Sequence, residues 1–424
     1  MAAQDVLVIG LGYVGLPLAV QAARAGFRVT GFDTSAEITR GLNAGLSHVD
    51  DVTRDEVEAA RARGFTATTD EAALGPQDVI VICVPTPLSE ADGPDLSAVK
   101  AAARTAGKLL RPGTLVSLES TTYPGTTEEI VRPLLEKASG LSAGVDFALV
   151  FSPERIDPGN PDYGLANTPK IVGGITPACA EAAAGFYGQI CAQVVRAASA
   201  REAEMAKLLE NTYRHVNIAL VNEMAVFCRE LGIDLHDAIR CAATKPFGFA
   251  PFYPGPGVGG HCIPIDPNYL SYKVRTLGYP FRFVELAGEI NSRMPGYVTD
   301  RAADLLNRAG RAVNGARVLL LGVTYKKDIA DQRESPARPV ARKLRARGAA
   351  VAYHDPHVPS WQVDGTDIPR AADLHAAVAA ADLVILLQAH RDYDLPEIAA
   401  TAQLLLDTRG ALPRTPAASH VETL

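Results

Sequence analysis

The chain has 424 residues, 47% of them hydrophobic and 21% charged, with a net charge of −7. Such a length implies two or three domains, and such a composition an ordinary globular protein. The acidic balance without a long basic cluster argues against nucleic acid as the main partner. No apolar run approaches the ~20 residues that cross a bilayer, so no membrane partner is expected either.

In chain order, Val6–Ile9 comes first, a short apolar run of the kind that forms a buried strand. A strand this early leaves no signal peptide to be read. Gly10, Gly12 and Gly15 follow in GxGxxG spacing and open a helix from about Leu16 to Ala25. In that spacing the first glycine permits a tight turn, the second lets a pyrophosphate approach the backbone, and the third lets the helix pack on the strand. The helix turns its first amides toward the phosphates. A second strand ends at Asp33, eighteen residues past Gly15. A carboxylate there accepts hydrogen bonds from a ribose 2′-hydroxyl and repels a 2′-phosphate. Thr34 and Ser35 follow it, with no adjacent arginine, so NAD is favoured over NADP. Further strands are expected at 79–84, 114–118, 147–151, 170–173 and 193–196, alternating with helices. That alternation predicts an α/β domain with a doubly wound, mostly parallel sheet over residues 1–198.

From about Ser199 to Gly232 neither proline nor glycine interrupts a helical apolar pattern. One helix of roughly 30 residues, about 45 Å long, is predicted there, opening a central helical segment over residues 199–298. Leu208, Leu209, Ile218, Leu220, Val221, Met224, Val226 and Phe227 exceed one stripe of a helix. One face is therefore expected against the same helix of a second subunit, in a two-fold homodimer.

The stretch PGPGVGGHCIPIDP, residues 254–267, places Cys262 on what reads as a tight glycine-rich turn. A thiol held there is partly exposed and becomes a nucleophile where its neighbours favour charge. A small hydrophobe filling a loop is the other reading. The other five cysteines (83, 179, 191, 228 and 241) form no CxxC pair and no metal-ligand spacing, so no metal is expected. Cys83 and Cys228 read as core thiols, and a reducing cytoplasm fits this usage. From Arg317 the strand–helix pattern restarts with RVLLLG, a helix near 336–347, AVAYHDP, ADLVILLQ and QLLLDTRG. This is a second Rossmann-like unit over residues 299–424. It lacks the glycine loop, so no second NAD is assigned to it. The Pro- and Ala-rich tail after Leu412 is expected to fray.

With these segments in view, the chain resembles the UDP-glucose and GDP-mannose dehydrogenase family, the nucleotide-sugar 6-dehydrogenases, over nearly its whole length. The resemblance rests on GLGYVGLPLA, VPTPLSEADGPDLS, STTYPGTTE, SPERIDPGN, AKLLENTYRHVNIALVNE, PGPGVGGHCIPIDP and GVTYKKDIADQRESP. GGHCIPIDP with SPERIDPGN is most similar to the branch that oxidises UDP-N-acetylhexosamines such as UDP-N-acetylglucosamine. The glucose branch usually has Cys-Leu-Pro-Lys-Asp, where this chain has Ile265 at the lysine position. It also tends to carry an upstream arginine that reaches a partner subunit's sugar site, where this chain has Pro246. Richness in Ala, Arg and Gly keeps open a natural-product pathway with UDP- or dTDP-glucose as substrate, beside a polysaccharide one.

The resemblance implies oxidation of a C6 alcohol to a carboxylate, with two hydrides passing to two NAD⁺. After the first, an aldehyde remains. The Cys262 thiolate adds to it, and the thiohemiacetal gives up the second hydride to leave a thioester, which water hydrolyses. Lys207 is implied to stabilise developing oxyanions, and Asn211, one turn further on the same helix face, to orient the sugar or a water. Asp266 is implied to orient the hydrolytic water, Glu154 to act as acid and base, and Thr121 to hold the water. Around NAD the resemblance places Gly10, Gly12, Tyr13, Val14, Gly15, Asp33, Pro85, Thr86 and Thr121. Around the nucleotide sugar it places Glu154, Arg155, Lys207, Asn211, Phe252, Tyr253, Gly259, Lys326 and Arg333. Phe249, Phe252 and Tyr253 either stack on the base or pack as ordinary core. Arg155 meets phosphate or pairs with Glu154, and Arg333 offers a bidentate fork to a carboxylate or phosphate. Two other classes fit part of the pattern. A single-step dehydrogenase of the 6-phosphogluconate type would use a lysine with no cysteine and typically lacks a second Rossmann-like unit. A non-catalytic NAD sensor would need the glycine fingerprint without Cys262, Lys207, Asn211 and Asp266.

Overall fold

The computed structural model describes residues 4–88, 93–157, 159–160, 162–260, 262–412 and 420–424, without the side chain of Cys262. The chain packs as two units, residues 1–210 with 268–280, and residues 211–267 with 281–424.

The first unit is built on strands β1 (Asp5–Ile9), β2 (Arg28–Phe32), β3 (Thr66–Thr68), β4 (Val79–Ile82), β5 (Leu115–Leu118), β6 (Ala148–Phe151), β7 (Lys170–Gly174) and β8 (Val194–Arg196). They form one sheet in the order β3-β2-β1-β4-β5-β6-β7-β8. Every neighbouring pair is parallel except β6 with β7. Helices α1 (Gly15–Arg24), α2 (Ala36–Asn43), α3 (Arg54–Ala62), α4 (Ser97–Lys108), α5 (Arg132–Ser139) and α6 (Pro177–Tyr187) complete the layers. A parallel strand covered on both faces needs apolar residues at every position, and Val6, Leu7, Val8 and Ile9 are all buried. Alternate residues feed opposite layers: Val6 and Val8 join Leu16 and Leu18 on one side, Leu7 and Ile9 join Val99 and Ala103 on the other. The strand order reverses between β1 and β4. Ligands of open α/β sheets bind at such a point, beyond the strands' carboxyl ends. The three-residue β3 lies outside the expected strands, because so short a run carries no periodicity.

Helix α7 (Ala200–Glu230) runs 31 residues, close to the length expected, and its residues up to Glu210 belong to the first unit. The second unit adds α8 (Leu235–Ala242), the start of α9 (Cys262–Arg275) and α10 (Arg282–Arg308). Its sheet contains β9 (Arg317–Leu321), β10 (Ala350–His354), β13 (Leu383–Leu386), β14 (Leu405–Asp407) and β15 (Val421–Thr423), with a separate pair β11 (Gln362–Val363) and β12 (Thr366–Asp367). The order β10-β9-β13-β14-β15 is parallel throughout. Helices α11 (Ala337–Ala346), α12 (Leu374–Ala380) and α13 (Leu395–Thr401) pack with it.

Two expectations are corrected. Cys262 is not a turn residue: the glycine-rich segment ends at Gly260, and Cys262 is the first residue of α9. Pro264 is compatible with this because the first amides of a helix have no internal partner to lose. The tail does not fray throughout. Residues 413–419 lie outside the described residues, but Val421–Thr423 pairs in parallel with β14 and Leu424 is buried. Glu422 anchors this strand, because Arg229 donates to it at 3.2 Å and Arg301 and Arg308 pair with it. Burial opposes its charge, yet the arginines outweigh burial and hold its carboxyl below the usual range. Among the described residues, no helix is long and apolar enough to cross a membrane.

Candidate active site

In the first unit the cofactor loop grows directly out of β1. Gly10 takes a φ of +91°, and its N–H bonds the carbonyl of Phe32 at 2.8 Å. Asp33 stands at the end of β2. One carboxylate oxygen accepts the Leu11 N–H at 2.9 Å and the other the Ser35 N–H at 2.9 Å. The strand end thus fixes the carboxylate against the glycine loop, while each oxygen keeps a lone pair for a ribose hydroxyl. A methyl placed on Gly12 would meet nothing within 4 Å, so this backbone is open to a phosphate. These features fit an NAD-binding loop. Beside it, the Thr86 hydroxyl donates to the Thr121 carbonyl at 2.9 Å, tying the loops after β4 and β5 together. The Tyr269 hydroxyl donates to the Thr86 carbonyl, a clamp that the spacing of motifs does not announce. Tyr13 and Val14 are half-buried and Pro85 is exposed on the same loops.

Glu154 follows β6 and is buried. Its Oε1 accepts the N–H groups of Arg155 and Ile156, both at 2.6 Å. Arg155 turns away from this carboxylate. It donates to Glu210 at 2.6 Å and to the Pro169 carbonyl at 2.8 Å, so the Arg155–Glu154 side-chain pair does not form. On α7, Glu204 accepts the N–H groups of Gly125 and Thr127 at 2.5 and 2.9 Å and the Thr127 hydroxyl at 2.7 Å. Burial pushes its carboxyl up to about 7, against these donors. Glu204 thereby fastens the turn after Thr121 to the helix that carries Lys207. Lys207 is buried and makes no hydrogen bond or ion pair among the described residues.

In the second unit, Asn211 of α7 meets Asp266 of α9. The Asn211 amide donates to Asp266 at 2.6 Å, and both side chains are buried. Cys262 begins the same helix α9, while its side chain lies outside the described residues. The segment before it lies on the loop after β9. The Gly260 N–H bonds the Arg333 carbonyl at 3.0 Å. A methyl on Gly259 would fall 2.7 Å from both the Glu334 carbonyl oxygen and the Tyr325 Cβ. Glycine is required here by close approach of two backbones. Arg333 forks onto Asp331, with contacts of 2.6 to 3.1 Å, which turns its carboxylate reading inward to the loop itself. Lys326 lies on that loop, its carbonyl accepting from Thr324 at 2.7 Å. Phe252 packs edge-on against Tyr213 at 5.6 Å, and Tyr253 lies over the His236 ring at 6.0 Å. Phe249 and Tyr253 are largely exposed, so only Phe252 has a core-like setting.

The second sheet repeats the Asp33 device and seals it. Asp355, at the end of β10, accepts the Val323 and His357 N–H groups at 2.7 and 2.8 Å. His390 Nε2 faces the same carboxylate at 3.1 Å. Burial opposes its charge, but His390 and the amides hold Asp355 below the usual carboxylate range. Asp355 is thus closed off by His390, as Asp33 is not. Asp328, His357 and His390 do converge. Both His390 ring nitrogens already face protein partners: Nδ1 accepts the Asp328 N–H at 2.9 Å and Nε2 faces Asp355 at 3.1 Å.

Comparison with known proteins gives three consecutive family matches. The NAD binding domain of the UDP-glucose/GDP-mannose dehydrogenase family matches residues 4–191, its central domain residues 201–293, and its UDP binding domain residues 319–414. UDP-N-acetyl-D-glucosamine 6-dehydrogenase of Pseudomonas aeruginosa is 39% identical over 354 residues, 83% of each chain. UDP-N-acetyl-D-mannosamine dehydrogenase of Pyrococcus horikoshii is 36% identical over 390 residues, 92% of this chain and 90% of that one. The solved UDP-D-ManNAc dehydrogenase of Pyrococcus horikoshii superposes with a TM-score of 0.89 at 32% identity, covering 99% of this chain and 98% of that one. The three matches together span most of the sequence, and the chain belongs to the UDP-glucose/GDP-mannose dehydrogenase family, as an NAD-dependent oxidoreductase of nucleotide sugars.

Proposed function

We propose that the chain oxidises C6 of a UDP-N-acetylhexosamine to the uronic acid in two steps, with Cys262 as nucleophile. The observation that carries this reading is the buried Asn211–Asp266 hydrogen bond, because it ties Asp266, four residues after Cys262 on α9, to Asn211 of α7. A first-turn cysteine is favoured as thiolate by the helix amides. Bound NAD⁺ supplies the hydride acceptor, held by the Gly10–Gly15 loop and Asp33. Lys207, a buried cation, stabilises the oxyanion that develops at C6, since such a charge needs an opposite partner. The thiolate adds to the aldehyde and makes the thiohemiacetal carbon a competent hydride donor. Asp266, oriented by Asn211, directs water at the resulting thioester, and Glu154 takes the proton that water loses.

The N-acetylated sugar is supported by Ile265 and Pro246, which stand where the glucose branch places charged residues, and by relatives named for N-acetylated sugars. A panel of UDP-glucose, dTDP-glucose, UDP-N-acetylglucosamine, UDP-N-acetylmannosamine and GDP-mannose with NAD⁺, read by product mass, tests it. Uronate from an N-acetylhexosamine is expected, and uronate from UDP- or dTDP-glucose alone overturns the sugar assignment.

The same reading includes a homodimer. Leu209, Tyr213, Leu220 and Phe227 are all exposed on α7 at spacings that keep them on one face. An apolar stripe of this length is suited to a self-complementary two-fold contact.

A further inference from the structure

Behind Glu154 lies a buried charge cluster that the reaction as described does not use. Its origin is the one antiparallel pair in the first sheet. β6 and β7 register Phe151 opposite Gly173. Extended three residues beyond the strand, that register sets Glu154 opposite Lys170. Lys170 is 3% exposed, Glu119 1% and Glu154 8%. The Lys170 ammonium donates to Glu119 at 2.7 Å and to Glu154 Oε2 at 3.4 Å. The other Glu119 oxygen accepts the Tyr187 hydroxyl at 2.5 Å, and Tyr187 in turn bonds the Ser117 hydroxyl at 2.8 Å. Burial opposes the lysine's charge, but the two carboxylates outweigh it and drive its pKa upward. Burial pushes the Glu119 carboxyl and the Cys83, Cys191 and Tyr187 protons up. The ion-pair partners around Glu154 are Lys170 and, through it, Glu119. The thiols and the phenol stay neutral.

A cluster this deep is costly unless it has a use or an excellent geometry, and its geometry is uneven. Glu154 Oε1 is saturated by two amides, whereas Oε2 is held by one long contact. Oε2 is the oxygen left to work. We infer that Lys170 is a positioning residue for Glu154: it holds Oε2 in place and sets an ammonium beside it, which Glu119 shares. Glu119 lies two residues before Thr121, so the cluster also fixes the start of the loop that carries that threonine.

This rests on the proposed function, in which Glu154 serves thioester hydrolysis. In that step the water oxygen bonds to the thioester carbonyl carbon and one water proton passes to Glu154. The C–S bond then breaks, the Cys262 sulfur leaves as thiolate, and the uronic acid carries the second proton until solvent takes it. Lys170 and Glu119 exchange no proton in the step. Their effect is confined to the charge and placement of the base.

The sign of the effect differs between two variants, and a merely structural role would not produce that difference. Glu119→Gln removes a competing negative charge and leaves the ammonium to Glu154, so the acid limb of the pH–rate profile for hydrolysis moves to lower pH. The double variant Glu119→Gln/Lys170→Met removes both buried charges. Its acid limb moves up by about one pH unit, the scale of losing a close opposite charge. Acyl-enzyme at Cys262 accumulates in intact-protein mass spectra, while the rate of the first hydride transfer in a single turnover is kept. Lys170→Arg restores the wild-type profile. Opposed shifts support the inference. An unchanged limb in Glu119→Gln, or shifts of the same sign, overturns it, and Glu119→Gln alone decides if the double variant does not fold. The wild type is the control for the underlying reading. If it forms neither acyl-enzyme nor NADH with any nucleotide sugar, the proposed function itself is refuted rather than the role of Lys170.

Discussion

Gly12→Ala and Gly15→Ala are predicted to fail in opposite ways. A Cβ on Gly15 would lie 1.8 Å from the Gly10 carbonyl oxygen and 3.0 Å from its carbon, both backbone atoms that no rotamer change can move away. Relieving that contact needs a shift of more than about 1 Å between the loop and α1. Overpacking of this kind costs about 1–3 kcal/mol or more. At about 2–4 °C per kcal/mol for a domain of this size, Tm falls by roughly 2–12 °C. Gly12 is different. Its added methyl meets nothing within 4 Å and its φ is not in the left-handed region. Alanine there is tolerated, and lower freedom in the unfolded chain contributes about 0.4–1 kcal/mol of stability. Yet that methyl stands where the pyrophosphate must reach the backbone. A loss of at least about 1.4 kcal/mol of NAD⁺ binding, a tenfold rise in Kd, follows. Thermal melts with calorimetric NAD⁺ titrations separate the two. The reasoning is refuted if Gly12→Ala binds NAD⁺ like wild type, or if it melts as early as Gly15→Ala.

Three further outcomes follow from the same structure. Cys262→Ser keeps its fold and NAD⁺ affinity but loses turnover by orders of magnitude, because an alkoxide forms far less readily than a thiolate near neutral pH; near-normal uronate from this variant, by product mass spectrometry, would remove the covalent step. Asp33→Ala weakens NAD⁺ binding and narrows its advantage over NADP⁺, and a wild type that already prefers NADP⁺ would show the role of Asp33 to be misread. Light scattering at low micromolar concentration gives twice the 44.8 kDa chain mass, whereas a fully active species at the single-chain mass rules out the contact through Leu209, Tyr213, Leu220 and Phe227.

Much of this molecule is legible from local pattern. Val6–Ile9, the three glycines and Asp33 declare their geometry because each is fixed by a neighbour close in sequence. The unbroken run from Ser199 to Leu231 reads as a helix for the same reason. What stays hidden depends on pairings between distant segments. Nothing near Lys170 indicates that an antiparallel pair brings it to Glu119 and Glu154. The glycines before Cys262 and Pro264 after it make this segment look like a turn, although a proline is acceptable in a helix's first turn, and the chain does begin α9 at the cysteine. Asp355 has the position of a ribose-binding acid in sequence, and only its burial beneath His390 reveals that it is closed. The β15 strand follows a segment with the composition of a frayed end, and its anchor, Glu422, draws on arginines that lie more than a hundred residues away.

The most direct measurement is the amount of NADH formed per nucleotide sugar consumed, followed at 340 nm against the mass of the product. The nucleophilic role of Cys262 requires two NADH per sugar and a uronic acid, with no free aldehyde. One NADH per sugar, with an aldehyde or ketone as the product, contradicts it.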